Sequence, residues 1–108
     1  MGYYTNYYLD IHEGNKTIEE VLNNIDESEF EGIYYSIDEY GDTVDAVKWY
    51  NHEDDMKKFS KLYPELVFVL KGEGEESGDV WRKYFKNGKM HSCYVKLVFD
   101  DYDENKLL

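Results

Sequence analysis

The apolar residues of this chain change their spacing once, early and cleanly, and that change constrains the fold more than any other feature. From Tyr3 to Ile11 they fall on every second position, as Tyr3, Thr5, Tyr7, Leu9 and Ile11. A period of two describes a strand with one buried face. Glu13-Gly14-Asn15 breaks the pattern, and Ile18, Val21, Leu22 and Ile25 then recur at helical spacing. Thr17 and Glu20 have the form of a capping box at the helix start. A strand followed within a few residues by an amphipathic helix predicts an α+β chain whose helices cover one sheet face.

The rest of the chain is read by the same rules. Ile33, Tyr35 and Ile37 alternate and predict a second strand. Asp38 to Asp42 reads as a tight connection to a third strand over Thr43–Tyr50, the two forming a hairpin. Asn51 is placed to cap a second helix, with Glu53, Asp54 and Asp55 at its positive end. Met56, Phe59, Leu62 and Tyr63 supply the apolar face of that helix, Lys57, Lys58 and Lys61 lie toward its C-terminal end, and Pro64 stops it. Leu66–Leu70 is a continuous apolar run of central-strand type, and Gly72 to Asp79 is a flexible acidic loop. Val80–Phe85 and Lys89–Phe99 are strands joined through Asn87-Gly88, a strong hairpin signal. The expected order is β-α-β-β-α-β, the ferredoxin-like split βαβ unit, extended by a C-terminal β-hairpin. It has two helices on one face of an antiparallel sheet. All of residues 1–108 are expected in a single domain, with 100–108 a frayed acidic tail.

Composition narrows the function classes. Of 108 residues 42% are hydrophobic and 18% aromatic, which gives a core and argues against disorder. The single cysteine, Cys93, cannot form an internal disulfide, and a reducing, cytoplasmic setting is expected. The N-terminus lacks the basic and apolar regions of a signal peptide. Gly2 is followed by Asn6 where a lipidation signal needs Ser or Thr. No run reaches the roughly 18 apolar residues of a membrane span. The net charge is −12. Through residue 54 the chain carries 14 acidic side chains against two basic ones, Lys16 and Lys48, while the remainder carries ten of each. The whole imbalance sits in the first half, so direct binding of nucleic acid or of an anionic membrane is opposed, and a basic protein partner is favoured.

One stretch resembles known proteins. Trp49, Glu53, Met56, Ser60, Tyr63-Pro64 and Phe68, then Gly72-Glu73-Gly74-Glu75, Gly78-Asp79, Trp81, Tyr84-Phe85 and Asn87-Gly88-Lys89, resemble small proteins of phages and mobile elements similar to the YubB-type ferredoxin-like domain. The likeness covers roughly residues 45–90. It implies a phage setting and brings no active site. Small acidic phage proteins often block host defence nucleases, so the resemblance raises that class by analogy.

Four constellations are weighed against plainer readings. Asp26, Glu27, Glu29 and Glu31 precede the expected second strand, and Asp38, Glu39, Asp42 and Asp45 surround the turn after it. Five residues of strand span about 17 Å, so these carboxylates can form one stripe. DNA presents a phosphate charge every ~1.7 Å of axis, and such a stripe suits the same basic groove. The plainer reading is a solvated surface. The Gly72–Asp79 loop is too acidic for a phosphate cradle. Glu73, Glu75, Glu76 and Asp79 are hard oxygen donors without a calcium-loop pattern, so they read as a partner-binding or solvated loop with no metal. His91 and Cys93 share a strand face but lack a third group for zinc or for a nucleophile, and His12 and His52 do not complete a site. Tyr34, Trp49, Tyr50, Trp81, Tyr84, Phe85 and Tyr94, with Lys48, Arg82, Lys83, Lys86, Lys89 and Lys96 interleaved, suggest a base-stacking sheet that the net charge opposes.

The leading expectation is a non-enzymatic, phage-type inhibitor without cofactor. It would occupy a basic nucleic-acid-binding surface of a host defence nuclease, a CRISPR nuclease being one example. Glu27, Glu29, Glu31, Asp38, Glu39, Asp42 and Asp45 would supply charge, and Tyr34 and Tyr40 contact area. The alternative is a non-enzymatic adaptor or ligand- or nucleic-acid-binding module that uses the aromatic C-terminal strands, Trp81 to Tyr84 among them, and the acidic glycine loop with Glu73, Glu75, Glu76 and Asp79. Self-association is left open.

Overall fold

A computed structural model describes residues 3–43 and 45–108. Met1, Gly2 and Val44, which the lipidation and third-strand readings include, lie outside the described residues. The chain is α+β. Strand β1 (Thr5–Glu13) is followed by three short helices, α1 (Ile18–Leu22), α2 (Glu31–Ser36) and α3 (His52–Ser60). Strands β2 (Val67–Gly74), β3 (Val80–Lys86) and β4 (Lys89–Tyr94) then complete a four-stranded antiparallel sheet of order β1-β2-β3-β4.

The register makes one sheet face apolar. Ile11, Phe68, Phe85 and Met90 form one row across the four strands, Leu9, Leu70, Lys83 and Ser92 the next, and Tyr7, Gly72, Trp81 and Tyr94 a third. Ile18, Val21 and Leu22 of α1, Ile33 of α2, and Met56 and Phe59 of α3 join the first strands of these rows in a single core. Phe68, Leu70 and Phe85 are completely buried there. Gly72 has a specific reason to lack a side chain. A Cβ on it would lie 2.1 Å from the Trp81 ring, which packs flat over its backbone.

Several sequence expectations hold. Thr17 accepts from the Glu20 backbone and Glu20 reaches back, so the capping box exists. Asn87 and Gly88 take φ of 46° and 81°, the two positive values that a type I′ hairpin turn requires. Asn51 precedes α3 but makes no side-chain cap bond. Strand β2 extends through Gly74, so the acidic loop is shorter than expected.

The middle of the chain departs from the ferredoxin-like order. Residues 33–37 form no strand: Glu31–Ser36 is helix α2. The reason is burial. Phe30, Ile33 and Ile37 are all buried while Tyr35 is 65% exposed, so spacing of three and four governs where spacing of two was read. With that strand gone, 43–50 has no hairpin partner. Among the described residues, the stretch from Asp42 meets the outer edge of β1 through two isolated bridges, Thr5 with Val47 and Tyr8 with Asp42, and through side-chain bonds of Tyr7 and Thr43. At the other end β4 stops at Tyr94, because β3 offers no residue before Val80 to pair with the rest. Residues 95–108 are exposed and include one 3-10 turn, Glu104–Lys106, capped by the Asp103 side chain.

Candidate functional site

The acidic first half converges on α2. Before the helix, the Asp26 carboxylate accepts from the Ser28 hydroxyl at 2.7 Å and from the Ser28 and Glu29 backbone N–H groups. These bonds, the hydroxyl's first, hold its pKa below the usual carboxylate value. After the helix, Asp38 closes a turn by accepting from the N–H groups of Tyr40 at 2.9 Å and Asp42 at 3.1 Å. The Gly41 carbonyl then accepts from the Leu9 N–H and ties the turn to β1. Both flanks of α2 are thus fixed by carboxylates acting on nearby backbone.

Between these flanks α2 presents Tyr34 and Tyr35 outward, their rings edge to face at 5.1 Å. The Tyr35 hydroxyl donates to Glu27, and that bond raises the tyrosine's pKa. Asp26, Glu27, Glu31 and Tyr35 line one shallow depression, and Tyr35, Asp38 and Asp45 share the next. On the other side of the helix, Tyr34, Asp38 and Glu39 border a groove floored by Leu22, Ile25, Ile33 and Ile37. Because the segment is helical, six residues advance about 9 Å rather than the length of a strand. The expected stripe is therefore a compact ridge.

The sequence-derived set divides around this ridge. Glu27, Glu31, Tyr34, Asp38, Glu39 and Asp45 belong to it. Tyr40 and Asp42 face a different depression beside β1, with Asp10, Lys16 and Lys71. Glu29 lies 3.9 Å from Lys58, a loose and exposed pair. Tyr35 was missed, because in a strand it would have pointed inward.

The second set fares differently. Glu73, Glu75 and Glu76 are exposed, and Asp79 accepts from the Tyr3 hydroxyl at 2.5 Å, closing the β2–β3 loop against the N-terminal segment. Trp81 is buried, 6% exposed, and so offers little surface. His91 and Cys93 lie on the open sheet face with sulfur 3.8 Å from the ring nitrogen. Among the described residues no group of three or more His, Cys, Asp or Glu side chains is close enough to hold a metal ion. No helix among them is long and apolar enough to cross a membrane.

A second polar cluster lies in the core, where sequence reasoning sought surface cations. Lys83 follows Trp81 and precedes Phe85 at spacing two, so it points inward and is 5% exposed. Its ammonium donates to Glu53 Oε2 at 2.8 Å and to His52 Nε2 at 2.7 Å, and sits 4.2 Å from the Trp81 ring. His52 Nδ1 donates to the Trp49 carbonyl at 2.9 Å, which leaves Nε2 as the acceptor. Burial first, then the Lys83 charge, pushes His52 below the usual imidazole range. The Lys83 hydrogen bond pulls Glu53 below the usual carboxylate range. His52 also stacks on Trp81, and Tyr7 donates to the Trp49 carbonyl at 3.1 Å. The group clamps the first turn of α3 to β3. The signal for it was present in Trp81-x-Lys83-x-Phe85, a charge on the apolar face of a strand, which demands a partner.

Comparisons with protein-family models, with curated proteins and with solved structures give no significant match.

Proposed function

We propose that this chain is a non-enzymatic binding protein whose α2 ridge occupies a basic, nucleic-acid-binding surface on another protein. The observation that carries this reading is the pairing of exposed Tyr34 and Tyr35 with Glu27, Glu31, Glu39 and Asp45, none of which has an ion-pair partner among the described residues. Rigid aromatic area beside unneutralised carboxylates suits a cationic groove: charge steers the encounter and tyrosine supplies contact. The ridge is held by its own turns, so little ordering is needed on binding. The setting proposed with it, by analogy with the small phage proteins that residues 45–90 resemble in sequence, is a host defence nuclease such as a CRISPR effector in the host cytoplasm. The adaptor reading is weaker, because its aromatic anchor, Trp81, is sequestered in the core.

The test is binding to a guide-loaded CRISPR effector, read by displacement of its nucleic acid. Affinity falls steeply between about 50 and 200 mM salt, as for a polyanion ligand. Glu31→Lys with Glu39→Lys and Asp45→Lys abolishes it by reversing the ridge's charge, and leaves the fold intact because those side chains are exposed. Binding that is indifferent to salt, or that survives the triple reversal, overturns the reading.

A further inference from the structure

The last fourteen residues do not behave as part of the body. The Cα radius of gyration is 16.6 Å, where a compact chain of this length has about 13 Å. Leu97, Val98 and Phe99 are 78%, 85% and 100% exposed. They continue the β4 strand directly, and the Val95 N–H still bonds to the Val80 carbonyl. From Lys96 to Tyr102 no backbone hydrogen bond is made among the described residues. Lys96-Leu97-Val98-Phe99 thus has strong strand character and no strand to pair with. Strand β4 is itself the edge of the sheet, bonded to β3 on one side and open on the other. An open edge continued by an unpaired apolar overhang is a template for another strand.

We infer that the occupant is a second copy of this chain, and that β4 with its overhang pairs antiparallel with its own equivalent about a two-fold axis at Leu97. The sequence is self-complementary in that register. Placing Leu97 opposite Leu97 sets Val95 opposite Phe99, so the apolar residues meet one another. It sets Asp101 opposite Cys93, and Cys93 is the neighbour of Arg82 on β3. It sets Asp103 opposite His91 and diagonal to Lys89, which neighbours Lys86. All these odd-numbered residues project from the open sheet face, as Arg82 and Lys86 do. Arg82, Lys86 and Lys89 form no ion pair within their own chain among the described residues. Asp101 and the hairpin's cations therefore find opposite charge only between copies, and Asp103, which also caps the 3-10 turn of its own chain, adds a second carboxylate beside Lys89. The pairing is isologous, so every contact is made twice.

Sedimentation velocity and targeted cross-linking test this on the full chain. The wild-type protein sediments as a concentration-dependent dimer. Leu97→Asp, at a position outside the core, returns it to monomer with unchanged circular dichroism. Asp101→Lys with Asp103→Lys weakens the dimer on the order of tenfold, and adding Arg82→Glu restores it. In a Cys93→Ser background, Leu97→Cys forms an interchain disulfide on mild oxidation, because residues opposite each other on paired strands have Cβ atoms about 4.5–5.5 Å apart. Asp10→Cys in the same background, on β1, does not. A wild-type monomer at every concentration up to the solubility limit, or a dimer that Leu97→Asp leaves intact, overturns the inference. In the first case the overhang serves a different chain.

Discussion

The α2 ridge and the β2–β3 hairpin share one core and are opposites in construction. The ridge is held by short-range bonds, Asp26 to Ser28 and Asp38 to Tyr40 and Asp42, and its large side chains face water. The hairpin is held by rows that run across the whole sheet, and it buries a charge. The difference separates two uses of polar residues. On the ridge a carboxylate shapes local backbone or stays free to meet a partner. In the hairpin a polar group survives only because Glu53 and His52 come to it from another element. The first region can change its large side chains without unfolding, whereas in the second only the positions on the open face can change.

Mutation can break that contrast. The largest effect is expected from Phe68→Ala, which empties a fully buried position and costs about 3–5 kcal/mol in urea unfolding. Tyr35→Ala on the ridge costs within about 0.5 kcal/mol. Equal losses at the two sites would erase the distinction. Next, Glu53→Ala leaves the buried Lys83 ammonium without its carboxylate and costs about 1–3 kcal/mol. Lys83→Met, which removes the buried charge itself, costs less or is stabilising. If Lys83→Met proves the more damaging, the cluster is held by lysine packing rather than by charge pairing.

A smaller effect comes from acid. His52 and Glu53 are both held below their ordinary values in the folded chain, so the unfolded chain takes up their protons first. Their contribution is complete above the ordinary imidazole value of 6.5 and declines as pH falls through the lowered His52 value. It declines again below the ordinary carboxylate value of 4.5, as Glu53 takes its proton. Urea midpoints measured from pH 7.5 downward should follow that course, and His52→Gln should remove the first step. The smallest effect is on the ridge: Glu31→Lys changes the unfolding free energy by no more than about 0.5 kcal/mol.

Much of the fold was legible because local and long-range signals agreed. Thr17 and Glu20 announced α1, Asn87-Gly88 the last hairpin, and the period of two in Tyr3–Ile11 the first strand. The failure at 33–37 has a definite cause. Ile33 and Ile37 satisfy both a period of two and a helical spacing of four, and only the burial of Phe30 on the same side decides between them. The charge of the ridge was legible in composition, but its geometry was not, because it depends on that helix. Tyr35 changed sides with the helix, and Tyr40 and Asp42 moved to the β1 side of the turn. The Lys83 cluster required knowing that α3 begins over β3, a contact between residues 31 positions apart that no local pattern encodes.

The two bridges that Asp42 and Val47 make along β1 have a consequence for growth. They occupy the first part of β1's outer margin, so the margin beyond β4 is the more open to lateral addition of strands. Were two copies joined there as inferred above, each would turn its partly blocked margin outward. Such an assembly would stop at two, and a bare hydrophobic strand end would not become the seed of a fibre.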